Sequence, residues 1–242
     1  MSAPSGTRRR PSHRGGRPTL TRERVAEAAL DIAGAEGFGS VTMRRVAQHL
    51  DVTVRALYRY VTGRQDLVDL TAAIFLARAP RSTFDLDDWE ESVRRHCGDI
   101  RRHYRSHPRV LLGPLDENVT PSGVDEKRIV LAEDVLRFLT GIGLSLADAV
   151  TIRNQILLDV FAFVLAIDHT ADRLPTDRPT DDDTVRLDAP VPEVWLDAHP
   201  ELDAPLSRAA LDLDVRSPDE MFDDLVDNAI AAIRWRLDRS GT

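Results

Sequence analysis

Arginine and tyrosine side chains are concentrated in one short stretch of the segment Val41–Val61. A guanidinium group can donate two hydrogen bonds to a phosphate or to the edge of a guanine. A phenol hydroxyl can donate one to a phosphate, and a valine can contact the methyl group of thymine. Together these groups predict a surface that binds double-stranded DNA. The side chains expected on that surface are Arg44, Thr53, Val54, Arg55, Tyr58, Arg59 and Tyr60.

The same segment has the pattern of two short helices joined by a tight turn, Asp51-Val52-Thr53. The first helix is expected to start at Thr42 and the second to run from Val54 to Tyr60. The apolar residues that we expect to pack inward are Val46, Ala47, Leu50, Val52, Ala56 and Leu57. A helix-turn-helix requires such an inner face, because its second helix enters the major groove with the opposite face. An ordinary helical bundle with a solvated, arginine-rich surface is the alternative.

Charge is distributed unevenly along the chain. The formal net charge of the 242 residues is −8, which argues against a polyanionic partner. Residues 1–64, however, contain 12 arginines, no lysine and 5 acidic residues, whereas the remainder contains 20 basic and 35 acidic residues. An acidic body would repel DNA and leave only the basic N-terminal part able to dock. The arginines between Arg8 and Arg17 could enter a minor groove or belong to a charged tail, and both interpretations stay open.

Three histidines, His96, His103 and His107, fall on one face of a predicted helix. His96 and His103 are two turns apart, roughly 10 Å, which is too far for one metal ion. His103 and His107 have the spacing of a chelating pair, but no third histidine or cysteine follows at ligand spacing, so we expect no metal. His96 is adjacent to Cys97, but neighbours on a helix point about 100° apart, which argues against a Cys–His nucleophile.

Other functional patterns are missing from the sequence. It contains no phosphate-binding glycine loop, no G-x-S-x-G and no H-E-x-x-H, so we expect neither an enzyme nor a cofactor. The single cysteine excludes a disulfide within the chain and fits a reducing, cytoplasmic setting. No apolar run approaches the roughly 20 residues of a membrane span, and the arginine-rich start lacks the apolar core of a secretory signal.

Helical periodicity and capping signals extend along the chain, and we find no strand pattern and no internal repeat. The sequence predicts an all-α protein with a disordered basic arm over residues 1–19, a helix-turn-helix domain over residues 20–64 and a larger helical domain over residues 65–242. Residues 170–217, rich in Asp and Pro, are expected to form a long, partly ordered excursion. Besides a helix from Arg22 to Gly37 and the motif itself, the predicted helices span residues 65–79, 85–106, 123–140, 145–168 and 218–238.

From Thr21 to about Leu76 the chain resembles the TetR family of one-component repressors. The family's run L-Y-x-[HY]-[VF]-x-x-[KR]-x-x-[LF] is matched by Leu57–Leu67. The body is similar to the tetracycline-repressor subgroup at Trp89, at Gly143–Ala149 and in the final helix. The resemblance implies a homodimeric transcriptional repressor that binds a palindromic DNA operator and is released by a small-molecule inducer.

The resemblance also implies roles for individual residues of the N-terminal domain. It implies that Thr42 and Arg44 contact DNA from the first motif helix. It implies that Val54, Arg55 and Ala56 read bases. The implied phosphate contacts are Tyr58, Tyr60 and Arg64. One departure is Asp51, where the family usually has glycine in the turn. Aspartate tolerates left-handed backbone geometry better than most residues, so this departure weakens the resemblance little.

In tetracycline repressors a histidine at the start of the sixth helix ligates the drug-bound magnesium ion, and the resemblance places Pro114 there. The polar residue that holds the drug falls on His96, its aromatic neighbour on Ile100 and a glutamine of the seventh helix on Val135. The chelating site is therefore missing, and we expect a largely apolar or amphipathic inducer. The predicted ligand-binding residues are His96, Ile100, Val135, Phe138, Asn154 and Phe161.

Two helices of the body offer more apolar surface than one small domain needs. The helix over residues 145–168 is apolar nearly all round, and the helix over residues 218–238 carries an apolar stripe. We therefore expect an obligate homodimer, with a monomeric core as the alternative. The alternative to an inducible repressor is a DNA-binding regulator without a small-molecule ligand.

Overall fold

The structure is a computed structural model that describes residues 19–112, 126–173 and 187–240. Within these ranges every regular element is a helix and no strand occurs, which confirms the all-α prediction. Pro114, the predicted N-terminal arm except Thr19, and the start of the predicted helix over residues 123–140 lie outside the described residues. So do residues 174–186 of the predicted excursion.

The N-terminal domain consists of α1 (Arg22–Glu36), a 3-10 turn (Phe38–Ser40), α2 (Met43–His49) and α3 (Val54–Leu57). The hydroxyls of Thr21, Thr42 and Thr53 each accept a hydrogen bond from the backbone N–H three residues on, so a threonine caps each α-helix. α3 ends three residues earlier than predicted. Its last turn tightens, because the N–H of Tyr60 donates to the carbonyl of Leu57 and the carbonyl of Tyr60 accepts from Arg22.

Helix α4 (Arg64–Ala77) joins this domain to the body without a flexible linker. It lies along α1 and buries Leu67, Val68 and Phe75. A second contact follows at the 3-10 turn Pro108–Leu112, which packs against α1. There a Cβ atom at Gly34 would lie 2.7 Å from Cδ2 of His107, so only glycine permits this approach. The N-terminal domain thus packs directly against the body.

The body is formed by α5 (Trp89–Ser106), α6 (Lys127–Gly141), α7 (Leu146–Ala171), α8 (Glu193–Ala198), α9 (Pro205–Ala209) and α10 (Pro218–Ser240). Helices α6 and α7 pack together as a hairpin, and α5 and α10 both pack on α7. The two short helices α8 and α9 lie in the described part of the predicted excursion.

The sequence predicted that this helix starts at residue 85, but α5 starts at Trp89. The hydroxyl of Ser92 accepts a hydrogen bond from the N–H of Asp85 and donates one to its carbonyl. Because Ser92 itself is buried in the helix, this pair of bonds holds the preceding chain against the first turn of α5 instead of extending it.

One buried ion pair joins three helices of the body. Helix α7 contains a π-helical turn, Val164–Asp168, and the carboxylate of Asp168 at its end is fully buried. Arg101 of α5 holds that carboxylate with two hydrogen bonds, 2.9 Å from Nε and 2.7 Å from Nη2. The same guanidinium group reaches Asp219 of α10 at 2.8 Å and lies over the ring of Phe222, 4.5 Å from its centroid.

We expect Asp168→Asn to lower the free energy of unfolding by about 3 kcal/mol, because it breaks a buried ion pair and leaves Arg101 with Asp219, whose side chain is 83% exposed, as its counterion. Asp172→Asn is the matched control: Asp172 pairs with Arg105 near the end of the same helix, but its side chain is 43% exposed. The control should change stability by less than about 1 kcal/mol. Urea unfolding of both variants measures the difference, and equal losses would contradict a special role for the buried pair.

Candidate nucleic-acid interface and ligand site

The turn between α2 and α3 reverses the chain over a few residues. Asp51 has a φ of 53°, in the left-handed region where glycine is usual. The N–H of Val52 then donates to the carbonyl of Ala47 at 2.9 Å, which closes the turn onto α2. The two short helices are thereby held at a fixed angle, with Leu57 of α3 fully buried between them and α1. The geometry is that of a helix-turn-helix.

The arginines of the N-terminal domain fall into two groups. Arg22 and Arg45 pair with carboxylates of the domain itself, Asp66 at 2.9 Å and Glu36 at 2.6 Å. In the second group the guanidinium groups are exposed and form no hydrogen bond or ion pair with the described part of the chain. This second group comprises Arg44, Arg55 and Arg59, all three predicted from the sequence to face DNA.

The exposed arginines share a surface with an exposed phenol. Tyr58 is 59% exposed, and it lies between Arg55 and Arg59 in the sequence, just past the end of α3. Val54 and Ala56 are half-buried, and Val54 packs partly against the core, so they lie at the edge of this surface. We call Arg44, Thr53, Arg55, Tyr58 and Arg59 the basic face. All five members are exposed in the structure, so their hydrogen-bond donors are accessible to an anionic backbone.

Three of the predicted DNA-contact residues also have roles inside the domain. The hydroxyl of Thr42 caps α2, and the ring of Tyr60 is half-buried and packs against the core. The Nη2 of Arg64 donates to the carbonyl of Phe38 at 3.1 Å, which ties the start of α4 to the 3-10 turn. No local sequence pattern predicts this bond, because its partners are 26 residues apart. Contact of these residues with phosphate stays a prediction.

His96 is held on the inner face of α5 by a short hydrogen-bond chain. The hydroxyl of Ser82 donates to Asp99 at 3.0 Å and lies 2.9 Å from Nδ1 of His96. The hydroxyl has one proton, so Nδ1 is assigned as the donor to Ser82 and Nε2 is left as an acceptor. Burial lowers the pKa of His96 to about 4, so the ring is neutral at physiological pH.

Four other predicted ligand residues belong to the same interior. The ring of Phe84 lies 5.3 Å from His96 and stacks on Phe138 of α6 at 4.5 Å, and Val135 is buried one turn away. Ile100 of α5 and Phe161 of α7 are partly buried and pack on the core. These positions remain predicted ligand contacts.

Asn154 differs from the expectation. Its side chain is exposed, and its Oδ1 accepts a hydrogen bond from Arg153. Helix α7 turns Ala149, Ile152 and Ile156 inward, and a residue two positions beyond Ile152 points to the opposite side of a helix. Asn154 therefore lies outside the group of residues that the structure brings together.

A cavity of about 360 Å³ lies elsewhere, between α5 and α10, and none of the six predicted ligand residues lines it. In the described ranges no group of three or more His, Cys, Asp or Glu residues could hold a metal ion. Cys97 is fully buried, and burial raises the pKa of its thiol to about 12, so it cannot act as a thiolate nucleophile at neutral pH.

Comparison with known protein families gives two matches along the chain. Residues 25–70 match the family described as bacterial regulatory proteins, tetR family. Residues 83–207 match the tetracyclin repressor-like C-terminal domain. The first match contains the basic face, and the second contains α5, α6 and α7.

Individual relatives cover different parts of the chain. The class D tetracycline repressor of Escherichia coli is 31% identical over 166 residues, which are 66% of this chain and 72% of that protein. The repressor DrrR1 of Streptomyces coeruleorubidus is 42% identical over 118 residues, 45% of this chain. The chain thus spans less than half of DrrR1, 43% of its length.

Solved structures share the fold at lower identity. ActR of Streptomyces coelicolor, crystallised with actinorhodin, matches with a TM-score of 0.63 and 24% identity over 90% of this chain and 99% of that chain. TetR of Acinetobacter baumannii matches with a TM-score of 0.56 and 23% identity over 90% of this chain and 99% of that chain. These likenesses establish the arrangement of helices.

The lowered pKa of His96 predicts how stability depends on pH. The unfolded chain binds a proton at this histidine below about pH 6.5, whereas the folded chain does so only near pH 4. Its contribution to stability is therefore complete above about pH 6.5 and is lost as the pH falls towards 4. We expect His96→Gln to flatten this fall by up to about 1.4 kcal/mol per pH unit. Urea unfolding at several pH values measures the slope. The control His199→Gln, at an exposed histidine, should leave it unchanged, and an unaltered slope for His96→Gln would refute the assignment.

Proposed function

Because the chain belongs to the TetR family of bacterial transcriptional repressors, we propose that it binds a palindromic operator as a homodimer and releases it when a small molecule enters the body. Proteins of this family are DNA-binding transcription factors rather than enzymes. We also propose that this protein acts in the cytoplasm, where it has access to DNA.

DNA binding is supported most directly by the difference between arginines that have partners inside the N-terminal domain and exposed arginines that have none among the described residues. Arginines that stabilise the domain already have carboxylate or carbonyl partners, as Arg22, Arg45 and Arg64 do. The guanidinium groups of the basic face keep their hydrogen-bond donors available for an external partner. A major groove offers that partner in two forms, phosphate oxygens at its rim and guanine edges at its floor.

We expect Arg55→Ala to relax sequence preference at one base pair, at a cost of about 1–3 kcal/mol for a bidentate contact with guanine. Tyr58→Ala should instead weaken binding to all sequences alike, because a phosphate contact carries no sequence information. The operator would first be selected from random genomic fragments, and then a randomised operator would be profiled with each variant. Arg137→Ala, at an exposed arginine of α6, is the control. An unchanged profile for Arg55→Ala would reject it as the base reader.

The apolar exposed face of α7 supports the homodimer. This helix has 26 residues, and an 18-residue stretch of it has a mean hydropathy of 1.7, enough by length and composition to span a membrane, yet only 28% of that stretch is buried. An exposed apolar surface of this size on a DNA-binding regulator indicates a contact with another protein surface. Leu146, Val150 and Leu158 are among the exposed residues of α7, and Trp235 is exposed on α10. A second copy of the chain would cover both helices at once.

We expect Leu158→Arg to convert the dimer to a monomer, because a guanidinium group would be forced into the apolar interface. Leu158 is 63% exposed in the single chain, so the substitution should leave the fold of each chain intact. Ile129→Arg, at a residue 69% exposed on α6, is the control and should remain dimeric. Sedimentation velocity measures the mass of each variant, and a Leu158→Arg dimer of wild-type strength would place the interface elsewhere.

The proposed inducer would act by shifting a population of conformations. A ligand can change operator affinity only by its preference between the DNA-competent and DNA-incompetent arrangements, and a coupling of about 1–3 kcal/mol loosens binding several-fold to a hundredfold. Helix α4 is the proposed lever, since it connects the basic face to the body and ends against α5 through the stacked rings of Phe75 and His103. Ligand binding by similar proteins, ActR with actinorhodin among them, supports the search for an inducer.

A further inference from the structure

Arg153 of α7 is a half-buried guanidinium group with no carboxylate within ion-pair distance in the described part of the chain. Its Nη1 donates to Oδ1 of the adjacent Asn154 at 2.9 Å. Elsewhere in the body, the buried Arg101 holds the carboxylate of Asp168. A partly desolvated charge without a counterion is unfavourable, so an anion supplied from outside the chain would stabilise Arg153.

Two adjacent polar side chains of α5, Tyr104 and His103, lack hydrogen-bond partners among the described residues, and Tyr104 lies near Arg153. Burial raises the pKa of Tyr104, so its phenol stays protonated and can donate. No hydrogen bond of this phenol occurs in the described ranges. The Nε2 atom of His103 is buried and likewise has no partner among the described residues. Buried polar atoms are rarely left unsatisfied, so this position fits a ligand or water that the folded chain does not itself provide.

The electrostatic surroundings of this group are cationic, although the body as a whole is acidic. Arg128 lies near both Arg153 and Tyr104, where its charge lowers the pKa of each. Lys127 donates from Nζ to the carbonyl of Ala77 and lowers the pKa of His103. No carboxylate is among the groups whose charge shifts the pKa of His103, Tyr104 or Arg153. These cations would attract an anion.

Aromatic rings border the same group on α4 and α5. His103 stacks on Phe75 with centroids 4.3 Å apart, and Tyr104 lies 6.3 Å from Phe75 at a small interplanar angle. Parallel ring faces of this kind accept a further flat ring by offset stacking. The site therefore combines a cation, a donor hydroxyl and flat apolar walls.

We propose that the ligand of this protein is an aromatic organic acid, whose anionic group pairs with Arg153 and accepts a hydrogen bond from Tyr104 while its ring packs towards Phe75 and His103. This inference rests on the proposed function and gives its inducer a chemical class. A neutral analogue would leave Arg153 without a counterion, so the site selects against it. The pocket is then less apolar than the sequence led us to expect.

The test uses two fluorescent probes with the same aromatic skeleton. One, 8-anilinonaphthalene-1-sulfonate, is an anion, and the other, N-phenyl-1-naphthylamine, lacks the sulfonate and is neutral. Each probe is titrated into the full chain without DNA, and the ratio of the two Kd values is compared between variants, because the probes differ in hydrophobicity. We expect Arg153→Met to weaken sulfonate binding about ten- to a hundredfold, the effect of losing a charge-assisted hydrogen bond. Binding of the neutral probe should change less than about twofold on the same scale.

Two further variants separate charge from structure. Arg153→Lys keeps the cation and should retain most of the affinity for the sulfonate, whereas Tyr104→Phe should weaken it severalfold. Arg137→Met, at an exposed arginine of α6 that pairs with Glu133, is the matched control and should behave as the wild type. Equal losses of both probes in Arg153→Met, an unchanged ratio, or no saturable sulfonate binding to the wild type would each overturn the proposal.

Operator release is measured separately, so that failure of the proposed function can be recognised. If the sulfonate binds through Arg153 but no compound alters operator affinity, the anion site stands and inducible release is wrong. If neutral compounds release the operator and aromatic acids do not, release stands and the anion site is wrong.

Discussion

The ion pair of Arg101 with Asp168 fixes the body, because it joins α5, α7 and α10 at one buried point. A bidentate guanidinium–carboxylate contact tolerates little rotation of either helix, so the azimuth of α5 is set by it. That azimuth sends His96, Ile100, His103 and Tyr104 towards α4 and α6, and it leaves Arg94, Arg102 and Arg105 on the side of the cavity near α10. The π-helical turn of α7 serves the same contact, since Asp168 stands at its end.

The N-terminal domain depends on a second constraint, which is that α2 and α3 are too short to be stable by themselves. Helices of four to seven residues cannot stand alone in water, and here threonine caps and a fully buried core stabilise them. Internal carboxylates neutralise the arginines that hold the domain together, which leaves the basic face as its main source of unsatisfied donors. The close approach of Gly34 to His107 and the packing of α4 along α1 then hold the domain against the body.

Charge is sorted at three levels in this molecule. The sequence separates a basic N-terminal part from an acidic body, and the fold separates paired arginines from exposed ones within the first. In the body, the half-buried Arg153 lies near another cation, the exposed Arg128, and pairs with no carboxylate of the described residues. Because Coulomb interactions strengthen as water is excluded, a half-buried guanidinium group such as Arg153 attracts an anion more strongly than an exposed acid repels it.

The sequence by itself determined the elements and the outward-facing residues of the helix-turn-helix, because both are encoded locally. Apolar spacing located the helices, caps located their starts, and outward positions of a helix-turn-helix follow from its period, so Arg44, Arg55, Tyr58 and Arg59 could be named in advance. Tertiary structure alone decided which polar groups meet across helices. Arg101 and Asp168 are 67 residues apart, Arg64 and Phe38 are 26 apart, and Asn154 and Arg153 are neighbours that differ in burial. No periodicity records such pairings, since they depend on the angle at which each helix is finally packed.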